Sequence, residues 1–537
     1  MDLAVWRRRV SSSWLIVVVV ALVGLVAVMG AAIAAQSRPA GKQTTAGRDA
    51  SAMAGRDVFR FETFGNEGFW TDAMRMPKGV LDSKLTPLQA LEAGLLVDID
   101  AVPVSMRDAL SRELKTDRTP ASAPMLHDVK TTVMLIEANA VVGMVPKDSN
   151  GDGRINLASG DKVGVTCAIC HTETDKSVFA VPNAGSIGRR IDGIASVNLN
   201  VGKLLATAAN SRAYYPNLQL TLGGKTIGRA PTGLTVDSSE ADVDAYLSNP
   251  AFYPVGTFDE TQDGVGNSVM NTPLFRQDLA APFGSAGEFA ELLDISNGSF
   301  TTNLDPTTLV TPEGRAFLKA RAGALGEELA DNYAKILADT GVKGFPFVQA
   351  SMTAKVNVPE SLVGRRVDEK KLRDMKAYLE SLPGPVAPTV DKTAASRGRA
   401  MFRTECTRCH NLDPNAPVSK RLVDLQDLWP DYKPEVLAKR MPPFSPVQNS
   451  PGNYDDKMIV VDASDRDVRG HAVALLLDLR RKERFLHDAS VAGLEQLLNP
   501  ARGLRAPHPF YVQDGSKRED LIAYLHSRQT TPHRPAP

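Results

Sequence analysis

All four cysteines of this 537-residue chain fall into two copies of one pattern, Cys167-Ala168-Ile169-Cys170-His171 and Cys406-Thr407-Arg408-Cys409-His410. Residues three apart share one face of a helical turn, so both thiols can meet the two vinyl groups of one porphyrin while the following histidine ligates the iron. Each C-x-x-C-H run therefore reads as a c-type haem attachment site, and the pair reads as two covalently bound haem c groups. A four-thiolate zinc site or a redox dithiol would leave both histidines unexplained. With every cysteine committed, no structural disulfide remains to be formed.

The ends of the chain place it in a compartment. Arg7-Arg8-Arg9 precedes an uncharged stretch from Trp14 to Ala35. As a helix this stretch would reach roughly 33 Å, enough for a hydrocarbon core of about 30 Å, with its basic start on the cytoplasmic side. Ala32-Ile33-Ala34 also offers a small-x-small cleavage site, so residues 1–35 read either as a signal peptide or as a membrane anchor. Both readings put the remainder outside the cytoplasmic membrane, periplasmic or tethered to it. Lysine plus arginine equals aspartate plus glutamate, so no overall field attracts nucleic acid.

The expected fold is mainly α: two cytochrome c-like haem domains with long loop-rich insertions behind the N-terminal signal or anchor helix. Residues 36–60 read as a linker and 61–382 as a helical region carrying the first haem domain. Pro383-Gly384-Pro385-Val386-Ala387-Pro388 cannot continue a helix and marks the boundary. Residues 389–530 read as the second haem domain and 531–537 as a tail. Thr86-Pro87 predicts a helix start, Leu372, Met375, Leu379 and Leu382 form an amphipathic stripe, and Ser516-Lys517-Arg518-Glu519 fits a capping box for a last helix. No repeat is apparent beyond the two haem modules.

Further iron ligands are less constrained. Met441 in Met441-Pro442-Pro443-Phe444 is the candidate sixth ligand of the second iron, since a methionine thioether on a proline-stiffened loop suits that role; His487 and His508 are its rivals. For the first iron Met270, Met352, Met144 and His127 compete with an open position. Asp148, Asn150 and Asp152 stand at positions one, three and five of a calcium-loop pattern, but Ser159 occupies the place of the bidentate glutamate and Asp161 comes two residues later. Arg189-Arg190-Ile191-Asp192-Gly193 could pair with haem propionates, and Trp70 or Trp429 could lie between the haems, core burial being the plainer reading for both.

The segment around the second motif resembles small class I cytochromes c, whose first helix leads into C-x-x-C-H and whose last helix crosses it. With Phe485-Leu486-His487-Asp488-Ala489-Ser490-Val491, the whole chain resembles the dihaem cytochromes of the bacterial cytochrome c peroxidase and rubber-oxygenase-like superfamily. That resemblance implies an electron-entry haem at His410 with Met441, a reactive or low-potential haem at His171, calcium near the domain junction and a redox protein as partner. Two functions follow as expectations: electron transfer by an exported dihaem cytochrome, or a peroxidase-like or oxygen-activating oxidoreductase with an open first haem.

Overall fold

The computed structural model describes residues 45–218, 221–222, 225–226, 234–250, 253–259, 268–285, 287–428, 430, 470–486, 489 and 491–530. The expected export segment, Trp429, Met441 and His487 lie outside them. Among the described residues no helix is long and apolar enough to cross a membrane.

Two pairs of crossing helices organise the chain. In the first, α1 (Thr45–Phe61) packs on α2 (Glu369–Ser381); in the second, α3 (Lys392–Glu405) packs on α4 (Gly515–Ser527). Both crossings are built alike. A β-carbon on Gly55 would come 1.8 Å from the Asp374 carbonyl oxygen, and one on Gly398 would come 2.0 Å from that of Asp520. Only glycine allows the backbones so close. One turn further on, Phe59 meets Tyr378 at 5.9 Å between ring centroids, and Phe402 meets Tyr524 at 5.1 Å.

These contacts expose an internal repeat. Gly-Arg-x-x-Phe-Arg occurs at 55–60 and 398–403, and Asp-x-x-Ala-Tyr-Leu-x-Ser at 374–381 and 520–527. The second helices even start alike, with Asp368 capping the amide of Lys371 and Asp514 that of Lys517. The last cap is thus Asp514, not the Ser516 box expected from sequence, because Gly515 is already inside the helix. Thr86 does form its capping box, with Gln89. The α2 stripe packs as its spacing predicts, with Leu372, Met375 and Leu379 buried.

The modules differ in what separates helix from haem motif. Three residues divide Phe402 from Cys406, whereas 107 divide Phe59 from Cys167. That long insertion, continued between the first motif and α2, builds the largest apolar core, from Phe69 and Trp70 to Tyr333 and Val363. A separate core joins Val58, Phe59, Ala168, Leu372, Met375 and Leu379 around the first motif, and a third joins Phe402, Phe485, Leu521, Tyr524 and Leu525 around the second.

The fold is mixed α/β, which corrects the mainly α expectation. One three-stranded and seven two-stranded sheets occur among the described residues, on strands of two to four residues. Glycine, asparagine and proline in the insertions interrupt helices and favour such short pairings. β1 (Met144–Lys147) and β2 (Lys162–Val165) pair antiparallel and lead into the first motif; β3 (Thr172–Thr174) leaves it and pairs with β4 (Arg190–Asp192). The proline-rich segment after α2 is without helix, and the chain beyond it docks back. The Val418 amide donates to the Leu279 carbonyl at 2.9 Å and the Ala472 amide to Ser285 at 2.8 Å.

Candidate haem sites

The first motif is a tight turn: Cys167–Ile169 forms a single 3-10 turn, and the His171 amide donates to the Cys167 carbonyl at 3.2 Å. Burial pushes both thiols up to about 12 and His171 down to about 4, so thiols and ring are neutral. The cysteines are unlinked, which leaves both free for thioether bonds. Among the described residues no three cysteine, histidine or acidic side chains gather as a metal cluster.

His171 is held from behind. Its Nδ1 lies 2.7 Å from the Thr272 carbonyl oxygen, which makes Nδ1 the donor and leaves Nε2 as the ligating nitrogen. Such a carbonyl both orients the ring and raises its strength as a ligand. The same strand end is locked to the motif: the Gly193 amide donates to the His171 carbonyl at 2.8 Å, and the Leu274 amide to Gly193 at 2.8 Å. Below it, Asp192 accepts from Arg60 Nε and from the Tyr378 hydroxyl, each at 2.6 Å, tying α1 and α2 to β4.

The residues weighed for the first iron separate clearly. Met352 is 53 % exposed, and the His127 ring is taken by the Arg118 carbonyl at 2.9 Å. Met270 is buried two residues before Thr272, on the strand that supports His171. Met144 and Met76 line an apolar cavity of about 100 Å³ whose wall also includes Trp70, Ile169, Cys170, Phe258 and Leu304. Trp70 therefore belongs to the insertion core, where its ring lies 6.2 Å from Tyr214. Arg190, expected to meet propionates, binds Asp98 at 2.6 Å instead, and Arg189 lies 3.7 Å from Asp100 at the surface.

In the second motif Cys406 caps α3, and the His410 amide donates to the Cys406 carbonyl at 3.0 Å. Arg528 lies over Phe402 and Tyr524 and donates to the Asn411 carbonyl at 2.8 Å, fixing the chain just after the motif. Burial, with Arg528 next, lowers His410 to about 4. Cys406 is pushed up to about 11, again by burial. His508 approaches from the loop before α4; burial first, then His410, then Arg502, bring it down to about 3. The Nδ1 atoms of His410 and His508 are both buried without a hydrogen-bond partner. The donor set at each motif, two thiols and an adjoining imidazole, with Cys167, Cys170 and Cys406 packed against apolar cores, fits a covalently held porphyrin.

The calcium-loop pattern closes through Asp161, which accepts from the amides of Ser149 at 2.9 Å and Asn156 at 2.8 Å. Asp148 accepts from the Gly151 and Gly153 amides and Asn150 from that of Asp152, as in a chain of Asx turns. Among the described residues it gathers no ion-binding cluster.

Sequence reasoning missed Thr272, Arg528 and the equivalence of the helix pairs. Thr272 and Arg528 act through long-range contacts, while the repeated Asp-x-x-Ala-Tyr-Leu-x-Ser was readable in the sequence.

No family model matches the chain, and no curated protein does. Among solved structures it is similar to Kuenenia stuttgartiensis hydrazine synthase pressurized with 20 bar xenon, at 14 % identity over 50 % of this chain and 76 % of that one, with a TM-score of 0.29. A likeness at that score carries no argument about fold or function.

Proposed function

We propose that this chain is an exported dihaem c-type redox protein that passes electrons through two covalently held haems and exchanges them with a partner redox protein. One observation carries the reading: two C-x-x-C-H motifs each lie in an apolar core beside the same glycine-crossed helix pair, with unlinked thiols and a neutral imidazole. Bound haem supplies an iron that changes oxidation state by one electron and can accept an axial ligand. The chain's own residues present Cys167, Cys170 and His171 to one haem and Cys406, Cys409 and His410 to the other. Cys170, Cys167 and Cys406 each pack against an apolar core. Glu173, two residues past His171, is raised to about 7 by burial, and the chain after α2 docks back where the Ala472 amide donates to the Ser285 carbonyl at 2.8 Å. The export segment and the resemblance to dihaem cytochromes support an extracytoplasmic location.

The test is expression of the full chain in a host that attaches haem c. Two haems per chain by mass, a covalent haem stain and two one-electron waves in a redox titration are expected. A polypeptide of unmodified mass would end the reading.

A further inference from the structure

α2 and α4 end alike. Each closes on the repeated Asp-x-x-Ala-Tyr-Leu-x-Ser, and each has an extended C-cap, Leu382 at φ −62° and ψ 121°, Arg528 at φ −67° and ψ 124°. The same place in the two helix pairs thus carries an apolar side chain in one and a guanidinium in the other. Resting on the dihaem reading, we infer that Arg528 sets the reduction potential of the second haem, its buried charge favouring the reduced iron, and that the first haem has no such charge because Leu382 stands in its place.

Arg528 is 6 % exposed. Its side chain donates to the carbonyls of Asn411 at 2.8 Å, Leu412 at 3.3 Å and Leu476 at 3.1 Å, and to the Tyr524 hydroxyl at 2.8 Å. All four acceptors are neutral, so none of them cancels the charge, and a guanidinium does not give up its proton in a protein. Asp413, a carboxylate that acts on it, is exposed, where solvent screens it. Asn411 directly follows His410. The guanidinium carbon stands 5.0 Å from the Phe402 ring, and that ring stands 6.4 Å from the His410 imidazole. Phe402, Cys406 and Leu412 share one apolar core, where a low dielectric leaves a charge poorly screened. One electron taken from the partner redox protein turns ferric into ferrous iron and removes one unit of positive charge, so a fixed cation nearby raises the potential.

Leu382 occupies the matching place in the first module. It packs on the core that joins Phe59 and Ala168. Its methyl carbon would lie 3.0 Å from a β-carbon on Gly193, whose amide holds the His171 carbonyl at 2.8 Å. It therefore stands against the chain that fixes the first motif, as Arg528 does for the second. Asp192, next to Gly193, is paired with Arg60 at 2.6 Å, and the two charges cancel.

The experiment is a redox titration of the holo full chain, with haem content checked by mass in every variant, so that failure of haem attachment is separated from failure of this assignment. Arg528→Gln keeps a donor for the Asn411 carbonyl and loses the charge. It should lower one of the two potentials by a tenfold change in the reduced-to-oxidised ratio, about 59 mV for one electron, and leave the other in place. Arg528→Lys should keep both potentials. Leu382→Lys should raise the potential that Arg528→Gln leaves untouched. Two unmoved potentials in Arg528→Gln would overturn the assignment, and so would an equal fall in Arg528→Lys, which would make the guanidinium a brace and not a charge. A Leu382→Lys chain in which neither potential rises would overturn it even if Arg528→Gln failed to keep its second haem.

Discussion

The two C-x-x-C-H modules share a helix crossing and differ in almost everything around it. In the second, the first helix runs straight into its C-x-x-C-H; in the first, 107 residues intervene, yet the motif returns to the same crossing. Loop-closure entropy grows only slowly with loop length, so a long insertion is tolerated when the ends it joins are held by packing. Here they are held by Phe59 against Tyr378 and by Asp192 bonded to both Arg60 and Tyr378. The backs of the motif histidines differ too: His171 leans on the Thr272 carbonyl, and among the described residues His410 Nδ1 has no hydrogen-bond partner. One module is thus a small cytochrome-like unit braced by Arg528, and the other is the same unit opened to admit a large apolar core.

The comparison breaks most sharply at the thiols. Removing Cys406 and Cys409 together should leave one haem per chain by mass, bound at the first motif, and removing Cys167 and Cys170 should leave the other; loss of both haems from either variant would show that the modules do not load independently. Next are the crossings. Gly398→Val and Gly55→Val each force a side chain into a carbonyl, and each should cost about 3 kcal/mol in chemical denaturation, the upper end of ordinary overpacking. An unaffected Gly55→Val would mean that the first crossing does not support its module.

Lys482 gives a pH test confined to the second module. Burial against Phe485 lowers it to about 8 in the folded chain, below its usual 10.5. The unfolded chain therefore binds the extra proton between those values, so stability should rise as pH goes from 8 to 10.5. Lys482→Met should abolish that rise and be the more stable protein at neutral pH; equal pH profiles would refute the burial. Smallest are the caps: Asp368→Ala and Asp514→Ala should each cost about 1 kcal/mol, equally if the two helix starts are equivalent.

Some of the local structure was readable from residue order. The motifs, the α2 stripe and the Thr86 cap depend on neighbours within one or two turns, where spacing alone decides which side chains share a face. The repeat was equally present in the sequence, but its halves stand at unequal separations because the insertion divides only the first module. The mainly α expectation failed for a related reason: short strands in the insertions pair with segments far along the chain, as β3 does with β4, and local periodicity does not report such pairing.

The amino-acid order by itself determined which side chains stand together at each C-x-x-C-H motif, since a thiol, a second thiol three residues on and an adjoining imidazole are covalently placed. Only the tertiary structure decided what braces each motif, because Thr272 and Arg528 reach the motifs from about a hundred residues away. Their positions are set by cores and helix crossings that form only when distant segments pack together.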